Sequence, residues 1–275
     1  MDLQLRLHGA GSPERVAADC RNMHICGTVI CSMDVYFYAL QCLSLFEIAT
    51  VGEVAWPMKK MIYLFAMLRS CKSLIRKYGK AFWGRFKRIS KEKLAVIMPA
   101  TPNIGKSIFS ANYQFGPAYI AWYKTFMELG MQQQEAWENI WLMSEKMVTA
   151  IPKFLLHWSG KTYINGFRKK AAAHVERQQG NGLHPYDWRI VYREINDNTF
   201  ELDITECGMK KLAHDFDADG MLPGICRMDY LLSHLMKNGF ERTKTLGDGD
   251  NCCNCRYHIV GTCEWSPEKG FEGRK

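Results

Sequence analysis

The sequence predicts an α+β protein, a helical N-terminal region followed by a small antiparallel sheet in the order β-β-α-α-β-β, with helices packed on one face. Three observations carry that reading. Ile75, Tyr78, Phe82, Phe86 and Ile89 recur at intervals of three and four, the period of one helical face. Phe200, Leu202 and Ile204 alternate with Thr199, Glu201, Asp203 and Thr205, the period of a half-buried strand. Of the 275 residues, 47% are hydrophobic and 23% charged, which excludes disordered, collagen-like and disulfide-scaffold chains.

The elements follow in order. Residues 16–46 mix apolar and polar residues without strand alternation and read as helical. Residues 72–93 form an amphipathic helix, weakened by Gly79 and Gly84. The run from Pro99 to Gly105 is a turn-rich break. A helix over 118–129 ends at Gly130, a second covers 132–149, and Pro152 suits the first turn of a third. The Gly- and Pro-bearing stretch 178–185 is the predicted boundary. Strands over 188–195 and 199–205 flank the Asn196-Asp197-Asn198 turn, and 208–216 is a short helix. Pro223 opens a helix that runs to Lys237 and stops at Asn238-Gly239. Strands over 240–246 and 252–260 close the fold. The predicted organisation is a helical region with a basic segment (1–93), a further helical part (94–185), an α+β domain carrying the site (186–265) and a tail (266–275).

Charge and cysteine are unevenly distributed. The chain carries 36 Lys and Arg against 28 Asp and Glu, a net of +8. Residues 72–93 alone account for that excess, so it is a local feature. Interleaved with Tyr78, Phe82, Trp83 and Phe86, the segment could serve nucleic acid or an anionic membrane, but a helix packing its aromatic side inward needs neither, and this simpler reading is preferred. The sequence contains no apolar run long enough for a transmembrane helix, and its first residues lack the pattern of a signal peptide. Both features predict a cytoplasmic protein. Eleven cysteines, an odd number, then read as thiols, ligands or nucleophiles rather than bridges.

The strongest local signal is the segment Pro223-Gly-Ile-Cys226-Arg-Met-Asp229-Tyr. If Pro223 opens the helix, Cys226 lies in its first turn, where free N–H groups and the helix dipole favour a thiolate. Asp229 lies one turn further on the same face. The alternative is an ordinary buried cysteine beside a surface aspartate. On the last strand Cys253, Cys255 and Tyr257 share one face, while Cys252, Asn254, Arg256 and His258 share the other. Cys252 and Cys255 are formally a Cys-x-x-Cys pair, but a strand turns them to opposite faces, and no second such pair exists to complete a zinc finger. Glu206 and Cys207 end a strand, with Glu206 either at the sheet rim or facing a polar pocket. His214 and His234 are isolated.

These segments resemble the L-2-amino-thiazoline-4-carboxylic acid hydrolase family. The resemblance rests on Glu206-Cys207-Gly208, on Pro223, Cys226 and Asp229, on Arg242, Thr243, Thr245, Leu246 and Gly249, and on Cys253 and Arg256. It spans roughly residues 94–260, taking in Pro102-Asn-Ile-Gly-Lys-Ser-Ile-Phe-Ser-Ala-Asn-Tyr113. Two departures stand out: Asn254 replaces an aspartate of the family pattern, and Cys255 replaces a phenylalanine.

The resemblance implies a hydrolase acting on a non-peptide C–N bond, opening a small cyclic amidine or isothiourea to an N-carbamoyl-cysteine-type product in cysteine metabolism. Asp229 and Glu206 would hold the amidinium, and Arg242 or Arg256 the substrate carboxylate, with Thr245 and His258 in the binding set. Cys226 or Cys253 would attack, with His258 or His214 moving protons. Alternatively Cys207, Cys226, Cys253 and Asp229 would hold zinc or iron, or Asp229 or Glu206 would activate free water. The competing class is a non-catalytic module that senses a small molecule or a metal.

Overall fold

A computed structural model describes residues 55–180 and 182–263. The predicted helical stretch 16–46 and the tail 266–275 lie outside the described residues. The first described element, α1 (Ala55–Ala100), is interrupted at Gly79, whose φ of 86° and ψ of 166° belong to glycine alone. The interruption is a reversal. Tyr63 Oη and Ser90 Oγ, 27 residues apart, lie 2.7 Å from one another. In a straight helix they would be about 40 Å apart. The amphipathic face predicted across 75–89 is therefore split: Ile75 and Tyr78 precede the turn, while Phe82, Phe86 and Ile89 follow it.

Four helices come next: α2 (Ser110–Tyr113), α3 (Gly116–Glu128), α4 (Gln133–Val148) and α5 (Lys153–Gln179). The α3 helix is the centre of the helical layer. Residues Ala118 to Tyr123 are all buried, and Phe126 stacks on Phe86 of α1 at 4.5 Å. A helix apolar on all sides must be surrounded, and α1, α4 and the short helix after the second strand surround this one. Gly130, at φ 86°, ends it as predicted. Among the described residues no helix is long and apolar enough to cross a membrane.

The C-terminal half has the predicted order. Strands β1 (Arg189–Asn196) and β2 (Thr199–Glu206) form a hairpin. Then come α6 (Gly208–Asp215), a 3-10 turn (Asp219–Met221), α7 (Leu222–Cys226), α8 (Met228–Met236), β3 (Gly239–Glu241), a second 3-10 turn (Leu246–Asp248) and β4 (Cys253–His258). All pairings are antiparallel, in the order β1-β2-β4-β3. The two faces differ sharply. Arg193, Glu201, Arg256 and Glu241 stand opposite one another across the four strands, a ladder of alternating charge on the outer face. On the inner face Phe200, Tyr257 and Phe240 form an aromatic row with ring centroids 5.1 Å apart, and Phe167 of α5 packs on it 5.3 Å from Tyr257. One face is thus dry and covered by helix, the other solvated.

Two expected elements differ. The third strand stops at Glu241 instead of continuing to 246, because Asn254 Oδ1 accepts from the N–H groups of Thr243 (3.0 Å) and Lys244 (2.7 Å), drawing them out of the ladder. The single helix expected over 223–237 is two helices, broken at Arg227.

The α5 and α8 helices cross at Gly160. A Cβ there would overlap the carbonyl oxygen of Met236 and its Cβ, whereas one at Gly166 on the same helix would meet nothing within 4 Å. Alanine at the two positions should act in opposite directions. Gly160→Ala should destabilise by about 1–3 kcal/mol through overpacking. Gly166→Ala should stabilise by up to about 1 kcal/mol through helix propensity. Thermal denaturation of the two variants tests the crossing, and equal Tm shifts would contradict it.

Candidate functional site

The site is built around the break between α7 and α8. Pro223 sets the start of α7, but the helix lasts only five residues. The carbonyl of Cys226 accepts from Arg242 Nη2 at 2.7 Å. Arg227 turns back to the Pro223 carbonyl (2.7 Å) and also reaches Asp248 (3.3 Å). The chain restarts as α8, with Asp229 in its first turn.

Arg242 follows β3 directly. Its guanidinium lies 5.3 Å from the rings of both Tyr230 and Phe240, and Tyr230 Oη donates to the Arg242 carbonyl at 2.8 Å. Only 2% of the side chain is exposed. Nη1 donates to Asp229 Oδ2 at 2.7 Å, a charge-assisted bond between a buried cation and a partly open carboxylate. Arg242 is thereby committed to Asp229 and to the Cys226 carbonyl, rather than to the substrate carboxylate for which the sequence nominated it.

Asp229 opens onto a recess between α5 and α8, lined also by Tyr163, Phe109, Asn112, Asn238 and Tyr257. Its volume is about 30 Å³, room for about one water molecule. Protein packs closely around the carboxyl, yet 36% of the side chain remains accessible. Burial pushes the Asp229 carboxyl above its ordinary range, and the Arg242 charge and hydrogen bond only partly offset it. Burial, with the Asp229 charge adding to it, also raises Tyr163 and Tyr257, so both remain hydrogen-bond donors at neutral pH.

Three cysteines that the sequence singled out lie near one another, and none of them lines the recess. Cys253 acts electrostatically on both Cys207 and Cys226, and Cys207 on Cys226. Cys253 Sγ accepts from the Leu246 N–H at 3.2 Å and lies 3.4 Å from Thr245 Oγ1. Thr245 is fully buried and caps the 3-10 turn, its hydroxyl accepting from the Gly247 N–H at 3.2 Å. Burial pushes the Cys226 thiol up to about 12 and the Cys207 thiol to about 11. The expected Cys226 thiolate is thus corrected: Cys226 ends a five-residue helix instead of opening a long one, and desolvation outweighs the nearby Arg242 charge. Among the described residues no three His, Cys, Asp or Glu side chains are arranged to hold a metal ion. The set Cys207, Cys226, Cys253 and Asp229 therefore does not fit zinc or iron as it stands.

Other nominated residues point elsewhere. Glu206 sits at the rim, paired with Arg189 (2.9 Å) and Lys211 (2.5 Å), which hold its carboxyl below the usual range. Arg256 donates to Glu201 on the outer face (2.8 Å). His258 contacts Thr199 (2.9 Å) and Glu241 (3.2 Å). His214 is 80% exposed beside Asp219. None of these four lines the recess. The inward face of β4 (Cys253, Cys255, Tyr257) is as expected.

Tyr163, Asn112 and Asn238 were missed as site residues, and Tyr257 was placed on the correct face but given no role. One signal was available for Tyr163. Leu156, Gly160, Ile164, Phe167 and Ala171 mark the buried stripe of α5, and Tyr163 borders it at the glycine crossing.

Comparison with known proteins now adds a family. No curated protein matches the chain significantly. A family model described as L-2-amino-thiazoline-4-carboxylic acid hydrolase matches residues 112–257, more than half of the chain. The match begins at Asn112 in the recess and ends at Tyr257 in the same recess, with Tyr163, Asp229 and Arg242 between them. The chain belongs to the L-2-amino-thiazoline-4-carboxylic acid hydrolase family.

Proposed function

We propose that this protein is a hydrolase that opens a small cyclic amidine or isothiourea, such as L-2-amino-thiazoline-4-carboxylate, to an N-carbamoyl-cysteine-type product. The observation that carries this reading is Asp229, a carboxylate in the wall of a recess, anchored from behind by a buried arginine. The reacting carbon of such a substrate bonds to two nitrogens and one sulfur. Protonated, it is an amidinium, and a partly buried carboxylate is its natural counter-ion.

The chemistry needs one water. Asp229 takes a proton from that water as its oxygen adds to the amidinium carbon, converting the C–N double bond to a single bond. The adduct then collapses: the carbon–sulfur bond breaks, the electron pair leaves on sulfur, and a carbonyl forms as the added hydroxyl releases its remaining proton, equivalent to the one the amidinium brought, to solvent. The proton held by Asp229 passes to the departing sulfur, so on this route the bond cleaved is carbon–sulfur and not the carbon–nitrogen bond that the resemblance implies. Its raised pKa suits both directions of transfer better than that of an ordinary carboxyl. Tyr163 and Tyr257, kept protonated, donate hydrogen bonds to the adduct. Raised thiol pKa values make Cys226 a weaker candidate than water for the attacking group. The recess is smaller than such a substrate, so binding must part its walls.

Protein and L-2-amino-thiazoline-4-carboxylate, incubated together and followed by mass spectrometry, should yield a product one water heavier. No product from folded protein would sink the reading. Asp229→Asn should lower kcat/KM by about 10²-fold or more, whereas Cys226→Ser should retain most of the rate. A reversed pattern would restore the thiol as nucleophile.

Activity should also fall on the acid side. Asp229 must be ionised to act as base, so kcat/KM should fall as pH drops through its raised pKa, above the usual carboxylate range. Arg242→Gln removes the charge that favours ionisation and should move that limb to still higher pH. An unmoved limb in a folded variant would detach it from Asp229.

A further inference from the structure

The N-terminal end of α5 carries two aromatic side chains that the fold leaves uncovered. Phe154 is 58% exposed and Trp158 77%. Four residues apart on one helix, they are surface neighbours. Both rings project from the exposed side of α5. Cations surround them. Lys153 and Lys161 lie on the same helix, also exposed. His157, next to Trp158 in the chain, feels the charges of Lys237 and Lys153. Lys237 follows α8, which crosses α5 at Gly160. A large exposed tryptophan beside a phenylalanine, rimmed by lysines, combines an apolar surface with a positive field.

We propose that the Phe154–Trp158 edge of α5 docks on an anionic membrane surface, the two rings entering the headgroup layer and Lys153, Lys161 and Lys237 meeting acidic lipid headgroups. Indole and phenyl rings favour that boundary, and each basic side chain near such a surface adds attraction. Charge complementarity selects acidic over neutral lipid. Single-stranded nucleic acid would need a basic groove to track its backbone, whereas here the lysines rim two exposed apolar rings. The contact is peripheral, in keeping with the absence of a spanning helix among the described residues.

The test uses the full-length protein and co-sedimentation with vesicles. Phosphatidylcholine vesicles containing about 30% phosphatidylserine should bind the protein, pure phosphatidylcholine vesicles at least about tenfold less, and added salt should weaken the binding. The double variant Phe154→Ser, Trp158→Ser should lose at least about tenfold in affinity, while Trp158→Phe should keep most of it. Lys153→Gln with Lys161→Gln should reduce the preference for phosphatidylserine. Circular dichroism checks that each variant is folded, and Trp158→Phe provides a reading should the serine variant fail to fold. Several outcomes would overturn the proposal: no binding by wild type, binding unchanged in the folded serine variant, or binding lost only when Lys80, Arg85 and Lys87 of α1 are neutralised. Binding of single-stranded nucleic acid instead of vesicles would also overturn it. So would a concentration-dependent dimer that the serine variant abolishes, because a second copy would then be the occupant.

Discussion

The bond from Arg242 to Asp229 is the interaction on which the site depends. A guanidinium with 2% of its surface exposed cannot remain without a partner, because removing one member of a buried ion pair typically costs about 3–5 kcal/mol. Two partners occupy this one. Asp229 takes Nη1, and the Cys226 carbonyl takes Nη2. The second bond matters as much as the first, since it claims the carbonyl at the end of α7 and accompanies the restart of the helix at Met228. The restart places Asp229 in a first turn, facing the recess. One arginine thus joins the end of β3, the break between two helices and the orientation of the carboxylate. Tyr230 completes the link, since its ring lies beside the guanidinium and its hydroxyl holds the Arg242 carbonyl.

Burial then divides the chemistry between oxygen and sulfur. Taking a thiol out of water opposes its ionisation, and in this core that effect exceeds the help from the nearby arginine. The same desolvation acts on Asp229, but there it raises a strong acid toward the range where it can exchange a proton, whereas it moves the thiols away from that range. Cys207 and Cys226 are therefore weaker acids than ordinary thiols. Gly247 packs closely on Cys226, where a side chain would strike its Sγ.

Much of this was legible in the sequence, for reasons that separate local from distant information. Strand alternation put Cys253, Cys255 and Tyr257 on one face and Arg256 and His258 on the other, because a two-residue period is fixed by the backbone; which face is inward depends on the helix that covers it. Pro223 and Gly130 marked a helix start and a helix end correctly. The α7–α8 break was not legible. It depends on a guanidinium arriving from 16 residues further on, and nothing in the helical pattern of 223–237 announces that arrival. The reversal at Gly79 was half visible. The glycine was noted as a weakness, but its positive φ and the resulting return of Ser90 to Tyr63 depend on a core built by α3. Glu206 shows the same limit, because its partners Arg189 and Lys211 come from a neighbouring strand and the next helix.

Asn254 bears on how far the family chemistry carries over. The family pattern has an aspartate at this position, and its loss suggested a missing ligand or base. In the structure the side chain lies at the edge of the outer face and accepts from the N–H groups of Thr243 and Lys244, while its Nδ2 donates to Thr243 Oγ1 at 2.8 Å. An aspartate could accept the same two backbone bonds and receive a third from the threonine hydroxyl. The residue clamps the loop that carries Arg242 away from the sheet, and an amide serves for that as well as a carboxylate. Cys255 differs in kind. It is buried on the inner face beside Tyr257, and its electrostatic neighbours include both Arg242 and Asp229. Of the two departures, only Cys255 neighbours the Arg242–Asp229 pair.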